Sequence, residues 1–258
     1  MLYCIGDIHG FTDELDRALA LIKADSGEGA PIVFLGDYVD RGPDGKGTIQ
    51  ALMDGQAAGH DWTCLIGNHD LMFWRFVTRG ITADAHIKSG KGWLHHRLGG
   101  NTTLSSYIDT ATLRAASGID TFAADGLDPT PMSARDALWD AARAAVPQAH
   151  LDWIATQPRM HIAEDHVFVH AGLRVGDPLA DQSEDDLTWI REGWIDNQDA
   201  HAQMVVHGHT ALDFPTHHGN RINLDGGTGY GRPLVPAVLQ EGLWFTLDET
   251  GRTPLAPY

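Results

Sequence analysis

An α/β protein with two sheets and a helical insertion is what this sequence predicts, on three observations. Apolar strand-like runs alternate with helical periods over the first third of the chain, helical patterns dominate roughly 80–150, and short β-rich runs follow one another from 159 onward. Strands alternating with helices imply parallel βαβ units. The consecutive later strands imply an antiparallel-leaning second sheet packed on the first.

Each element has a local cause. LYCIG (2–6) reads as a strand, and FTDELDRALALIKA (11–24) as an amphipathic helix with Thr12 or Asp13 near its start. PIVFLG (31–36) is a second strand, GTIQALMDGQAAG (47–59) a second helix and WTCLIG (62–67) a third strand. HDLMFWRFV (69–77) opens a third helix. Residues 80–150 read as an inserted, mostly helical cap within a single domain spanning 1–258. SARDALWDAARAAV (133–146) is its clearest helix, Pro147 stops it, and QAHLDWIATQ (148–157) follows as another helix. RMHIAE, HVFVHAGL, AQMVVHGHT, RINLDGG, PAVLQ and LWFTLD then supply the later strands.

Composition narrows the function classes. The 258 residues suffice for a full core, and the formal net charge is −17, from 18 Lys+Arg against 35 Asp+Glu. Such a balance argues against a nucleic-acid partner, which needs a basic surface, and suits a protein that collects divalent cations. The two cysteines, Cys4 and Cys64, sit inside apolar runs and read as buried thiols. No apolar stretch is long enough to span a bilayer and a strand-like run begins at Leu2, so a cytoplasmic protein is expected. No obligate protein partner is evident. Gly45-Lys46-Gly47 lacks the spacing of a phosphate-binding loop, and the glycines of 227–231 precede no helical pattern.

The chemistry lies in the loops. Each early strand ends in glycine and a polar cluster: GDIHG, GDYVDRG, GNHD. His170 in FVHAGL, and His207 and His209 in VVHGHT, repeat the arrangement later. Ligands bind at the carboxyl edge of open α/β sheets. That edge should therefore collect Asp7, His9, Asp37, Asp40, Arg41, Asn68, His69, His170 and His209. Carboxylate, imidazole and carboxamide without thiolate suit manganese, iron or zinc in a catalytic site better than a structural zinc.

These five motifs, in this order, resemble those of the calcineurin-like metallophosphoesterases. The DRG of the second motif and WIRE (189–192) are similar to the phosphoprotein phosphatase branch, and WLHHRLGGNTTLSSY (93–107) to a stretch of its bacterial and bacteriophage members. The resemblance implies a four-layer α/β/β/α sandwich of two mixed sheets with a dinuclear metal site. Carried over by position, Asp7 and His9 hold the first metal, Asp37 bridges both, and Asn68, His170 and His209 complete the second. The implied cofactors are two divalent ions, manganese foremost, with iron, zinc, nickel and cobalt as alternatives. Arg41, Asn68 and Arg191 bind substrate phosphate, and His69, oriented and kept protonated by Asp40, is the general acid. Three positions depart from the pattern: Ala211 where many relatives have a second histidine, Asp70 where glutamate is usual, and LDGGTGYG in place of a eukaryotic segment.

The resemblance implies a metal-dependent phosphomonoesterase, first of all one acting on phosphoserine and phosphothreonine in proteins or on a small phosphoester. The alternative enzyme is a dinucleoside tetraphosphate hydrolase, whose members share nearly every motif. A non-catalytic scaffold is disfavoured, because a degenerate relative has no reason to keep Asp37, Arg41, Asn68, His69 and His209 together.

Overall fold

The computed structural model describes residues 1–127, 132–199 and 201–257. Residues 128–131, inside the expected cap, lie outside the described residues. The first third alternates as β1 (Leu2–Ile5), α1 (Thr12–Ser26), β2 (Ile32–Phe34), α2 (Gly45–Ala57), β3 (Trp62–Cys64) and α3 (Asn68–Arg79). Five helices follow: α4 (Gly100–Tyr107), α5 (Thr110–Ser117), α6 (Phe122–Asp125), α7 (Met132–Ala145) and α8 (Gln148–Thr156). The last part carries β4 (Met160–Ala163), β5 (His166–Val169), α9 (Glu184–Trp189), β6 (Met204–His207), β7 (Thr216–His217) and β8 (Arg221–Asn223). It ends in β9 (Ala237–Gln240), β10 (Leu243–Asp248) and β11 (Gly251–Pro254).

Two mixed sheets result, of order β11-β10-β9-β1-β2-β3 and β4-β5-β6-β8-β7. The expected βαβ units are present, with β1 parallel to β2 and β2 parallel to β3. The second sheet departs from the antiparallel-leaning expectation. Its centre, β5-β6-β8, is parallel, and only the edge strands β4 and β7 run antiparallel. The reason is the long connection from β5 to β6, which carries α9 and gives the crossover that parallel pairing needs. PAVLQ and LWFTLD leave that sheet altogether: β9 pairs antiparallel with β1, and β10 with β9.

Side-chain alternation shows how the layers stack. Along β1, Tyr3 and Ile5 face the helices with Leu15 and Ile49, while Cys4 faces the second sheet with Phe168 and Val206. Along β5, Phe168 points to the first sheet, whereas Val167 and Val169 pack outward with Leu187 and Trp194. A strand buried on both faces is mostly apolar, as these runs are, with His166 of β5 the buried polar exception. Both cysteines are free and buried. Trp93, Leu104, Tyr107, Leu138 and Ile154 share the core cluster of the first helical layer. Helix α4 packs on α2, and α7 and α8 pack on α3. These helices therefore widen that layer instead of standing off as a lid. Among the described residues, no helix is long and apolar enough to cross a membrane.

The two sheets touch at the strand ends, where loops of the first sheet also pack on one another. A Cβ at Gly6 would lie 2.4 Å from the Leu224 carbonyl oxygen, and Gly36, at φ 101°, faces the backbone of Gly67. That contact brings the loops of both sheets to one edge.

Candidate active site

Five loops converge at this edge, and the backbone there is strained. Among the described residues, the non-glycine positions with positive φ are His9, Asp37, Asp40, Arg41 and His209, plus two glutamates elsewhere, Glu164 and Glu241. Left-handed backbone is costly for residues with a Cβ and persists only where surrounding bonds impose it. Those bonds are in place. Asp70 accepts from the backbone N–H groups of Asp37 (2.8 Å), Tyr38 (2.8 Å) and Gly67 (3.0 Å), so its carboxylate ties the second loop to the third. Asp37 in turn accepts from the N–H of His69 at 2.9 Å, at the positive end of α3.

Two groups of donors share Asp37. The ligating atoms of His9, Asp37 and His69 lie within 4.8 Å of one another, and so do those of Asp37, His170 and His209, all buried. Asp7 sits alongside, its carboxylate 3.9 Å from His9 Nε2 and accepting the His209 N–H at 3.1 and 3.2 Å. Asn68 Oδ1 is 3.0 Å from His170 Nε2. Six residues expected as ligands are thus brought together, and His69 stands closer to Asp37 and His9 than its expected acid role alone required.

The donor set fits divalent cations. His9 and His170 each donate Nδ1–H to a backbone carbonyl, of Val39 and Leu35 at 2.9 Å, which fixes the tautomer and frees Nε2 for a metal. His209 places Nε2 against the Trp189 carbonyl (3.3 Å), leaving Nδ1. Positive charge already gathers there. Arg41 donates to His9 Nε2 at 2.7 Å, and a guanidinium nitrogen lies 3.2 Å from His69 Nε2. Burial alone would raise Asp37, but the charge of His170 beside it holds its carboxyl well below the usual range. Burial opposes protonation of His170 too, yet Asp37 at 3.4 Å raises it to about 9.

His69 and Asp40 are in contact, Nδ1 to carboxylate at 2.6 Å. Burial pushes Asp40 up well above the carboxylate range and takes His69 down to about 3. Desolvation thus opposes the charged form of each partner, while their short contact fixes the imidazole ring in place. Asp40 also accepts from Trp93 Nε1 (2.8 Å) and Thr103 Oγ1 (2.6 Å). Both partners lie in the WLHHRLGGNTTLSSY stretch, a signal present in the sequence whose purpose is visible only here.

Arg41, Arg191, His209, Thr210, Ala211, Tyr230 and Arg232 line a cavity of about 420 Å³ opening on the donor groups. Arg41 stacks on the Tyr230 ring at 4.8 Å, and Arg191 donates to the His209 carbonyl at 3.2 Å. Arg41 Nε and Thr210 Oγ1 are buried without a hydrogen-bond partner among the described residues. Sequence reasoning missed Arg232 and Asp225. The latter is 3% exposed, and its charge, after burial, helps raise Asp7 well above the carboxylate range. His207 lies buried below the site, Nδ1 against the Gly208 carbonyl.

Comparison with known proteins places the chain in a family. A family model described as calcineurin-like phosphoesterase matches residues 2–230. The symmetrical bis(5'-nucleosyl)-tetraphosphatase of Delftia acidovorans is 40% identical over 70 residues, 27% of this chain and 24% of that protein. The protein of the same name from Methylococcus capsulatus is 25% identical over 172 residues, 67% of this chain and 43% of its own length. The chain therefore spans less than half of these relatives. Among solved structures, one described as a candidate diadenosine tetraphosphatase superposes with a TM-score of 0.62 at 21% identity, over 97% of this chain and 94% of the other. A cold-active protein-tyrosine phosphatase from a psychrophilic Shewanella gives 0.61 at 16% identity, over 99% and 80%. Likeness at this level is one of fold.

Proposed function

Since this chain belongs to the calcineurin-like phosphoesterase family and is a hydrolase, we propose that it cleaves dinucleoside tetraphosphates, with two divalent metal ions as cofactors. The observation that carries this is the third arginine. Arg41 and Arg191 suffice for one phosphoryl group, as bidentate donors beside the metals. Arg232 in the same cavity, together with the unpartnered Arg41 Nε and Thr210 Oγ1, offers more donors than a single phosphate accepts. A polyphosphate chain uses them. The names of the curated relatives support the same substrate class. Three guanidinium groups also set the local field, so the overall −17 charge does not repel a polyanion at this opening. The phosphoserine and phosphothreonine reading, which the sequence placed first, has less support, because it leaves Arg232 without a partner in the substrate.

In this reading Asp37, Asp7 and His9 would hold one ion, and Asp37, Asn68, His170 and His209 the other. When bound, the ions supply a nucleophilic water at neutral pH and neutralise charge on the phosphoryl group. The protein does the rest. Arg41, Arg191 and the Asn68 amide hold the phosphoryl oxygens in line for attack. His69, positioned by Asp40, hands a proton to the departing oxygen.

The deciding measurement is kcat/KM for diadenosine tetraphosphate and for a phosphothreonine peptide at equal manganese concentration. The dinucleotide should be cleaved to ADP with the higher efficiency. Higher efficiency on the peptide would return the protein-phosphatase reading to first place.

A further inference from the structure

Arg232 is a wall between two cavities. On one side lies the arginine-lined compartment of the active site, and on the other a second cavity of about 370 Å³. The second is apolar, lined by Phe214, Pro215, Pro233 and Val235, with Asp213 at its rim. Phe214 is 74% exposed, an unusual position for a large aromatic ring. It is not loosely held. The Leu212 N–H donates to the Asp225 carbonyl at 2.9 Å, Thr216 Oγ1 to the Phe214 carbonyl at 2.9 Å, and Asn223 Nδ2 to the Thr210 carbonyl at 2.7 Å. Gly226 packs closely against Pro215, since a Cβ there would stand 3.3 Å from Pro215 Cδ.

From this juxtaposition we infer that the Phe214 cavity is a nucleoside subsite, in which a base stacks on the ring while Arg232 holds the adjoining phosphate. The inference rests on the dinucleoside polyphosphate reading and adds to it where the base lies. Three features select the occupant. The two cavities share Arg232 as a lining residue, so a ligand reaching across it must be anionic at one end and apolar at the other. Among the described residues Arg232 pairs with Asp213, at 2.6 Å, and both side chains are solvent-exposed (41% and 78%). Such a pair is weak in water and yields to a phosphate. Asp213, once released, becomes an acceptor for ribose hydroxyls.

The test is calorimetric binding to the manganese-loaded full chain, comparing ADP with ribose 5-diphosphate, the same ligand without its base. ADP should bind about tenfold more tightly, within the range of base–aromatic stacking. Phe214→Ser should bring the two to within about twofold, and Arg232→Ala should weaken both ligands alike. Equal affinities in the unmodified protein would overturn the subsite. A preference abolished by Tyr230→Ser and untouched by Phe214→Ser would overturn its placement. Failure to cleave diadenosine tetraphosphate would count against the proposed substrate alone, because the comparison of ADP with its base-free analogue is made by binding.

Discussion

Asp37 and His69 carry different burdens, and the chemistry of each separates them. Asp37 belongs to both donor groups, so on the proposed two-metal reading removing its charge should cost both ions. Asp37→Asn should lose both metals by elemental analysis, whereas Asp7→Asn should empty chiefly one site. Retention of both ions by Asp37→Asn would reject its bridging place. His69 has its Nδ1 fixed by Asp40 and its Nε2 facing the cavity through Arg41. His69→Asn should keep its metals yet lose roughly two to four orders of magnitude in turnover of a serine phosphate, whose alkoxide leaves poorly unprotonated. The loss should shrink on p-nitrophenyl phosphate and on diadenosine tetraphosphate, whose leaving groups depart readily as anions. Equal losses on all three substrates would exclude proton donation by this side chain.

At the scale of elements, the start of α4 and the residues before it serve the second loop of the site. Thr103 Oγ1 accepts the backbone N–H of Asp40 at 2.8 Å and donates to its carboxylate, while Gly99 packs against the Arg41 backbone so closely that a Cβ would lie 2.1 Å from its nitrogen. This clamp accounts for the positive φ of Asp40 (73°) and Arg41 (69°). Thr103→Val should therefore leave a buried N–H and carboxylate oxygen short of partners, at about 1–3 kcal/mol in urea unfolding. It should also lower turnover without lowering metal content, because the Asp40–His69 pair is released, not removed. A variant as stable and as active as the parent would show that the clamp is dispensable. On the other side, α3 begins at the site itself, with Asp70 accepting the Gly67 N–H, so the same cap that starts the helix fixes Asn68 and His69.

Across the whole molecule, the two sheets are joined by a titratable contact. Trp244 in β10 donates its indole N–H to His166 Nε2 in β5 at 3.1 Å, so that nitrogen must be unprotonated. Burial lowers the His166 pKa from its ordinary value, and burial likewise lowers His150, against Tyr107 and Gln50. The sign follows. Below about pH 6.5 the unfolded chain takes up protons that the folded chain refuses, so stability is full above that pH and falls as pH drops through it toward the lowered folded values. Tm should decline from pH 7 to pH 5, and the decline should be shallower in His166→Gln, which accepts the indole N–H without titrating. An unchanged slope in that variant would assign the acid sensitivity elsewhere.

Much of this was legible in the sequence, because it is local. Strand and helix periods located β1 to α3 within a few residues, and a glycine with a polar cluster after each strand marked Asp7, His9, Asp37, Asp40, Arg41, Asn68, His69, His170 and His209 as neighbours at one sheet edge. Parallel strands deliver their loops to the same side, so order along the chain becomes proximity in space. Tertiary structure alone decided the rest. The three last strands extend the first sheet because β9 finds the free edge of β1, a pairing that no local pattern encodes. Trp93 and Thr103 reach Asp40 across 53 and 63 residues. Arg232 and Phe214 follow no strand-end motif, and the second loop of the second sheet only meets the cavity once the layers are packed. Burial, which is a property of the assembled layers, then pushes the Asp40 carboxyl up and the His69 imidazole down.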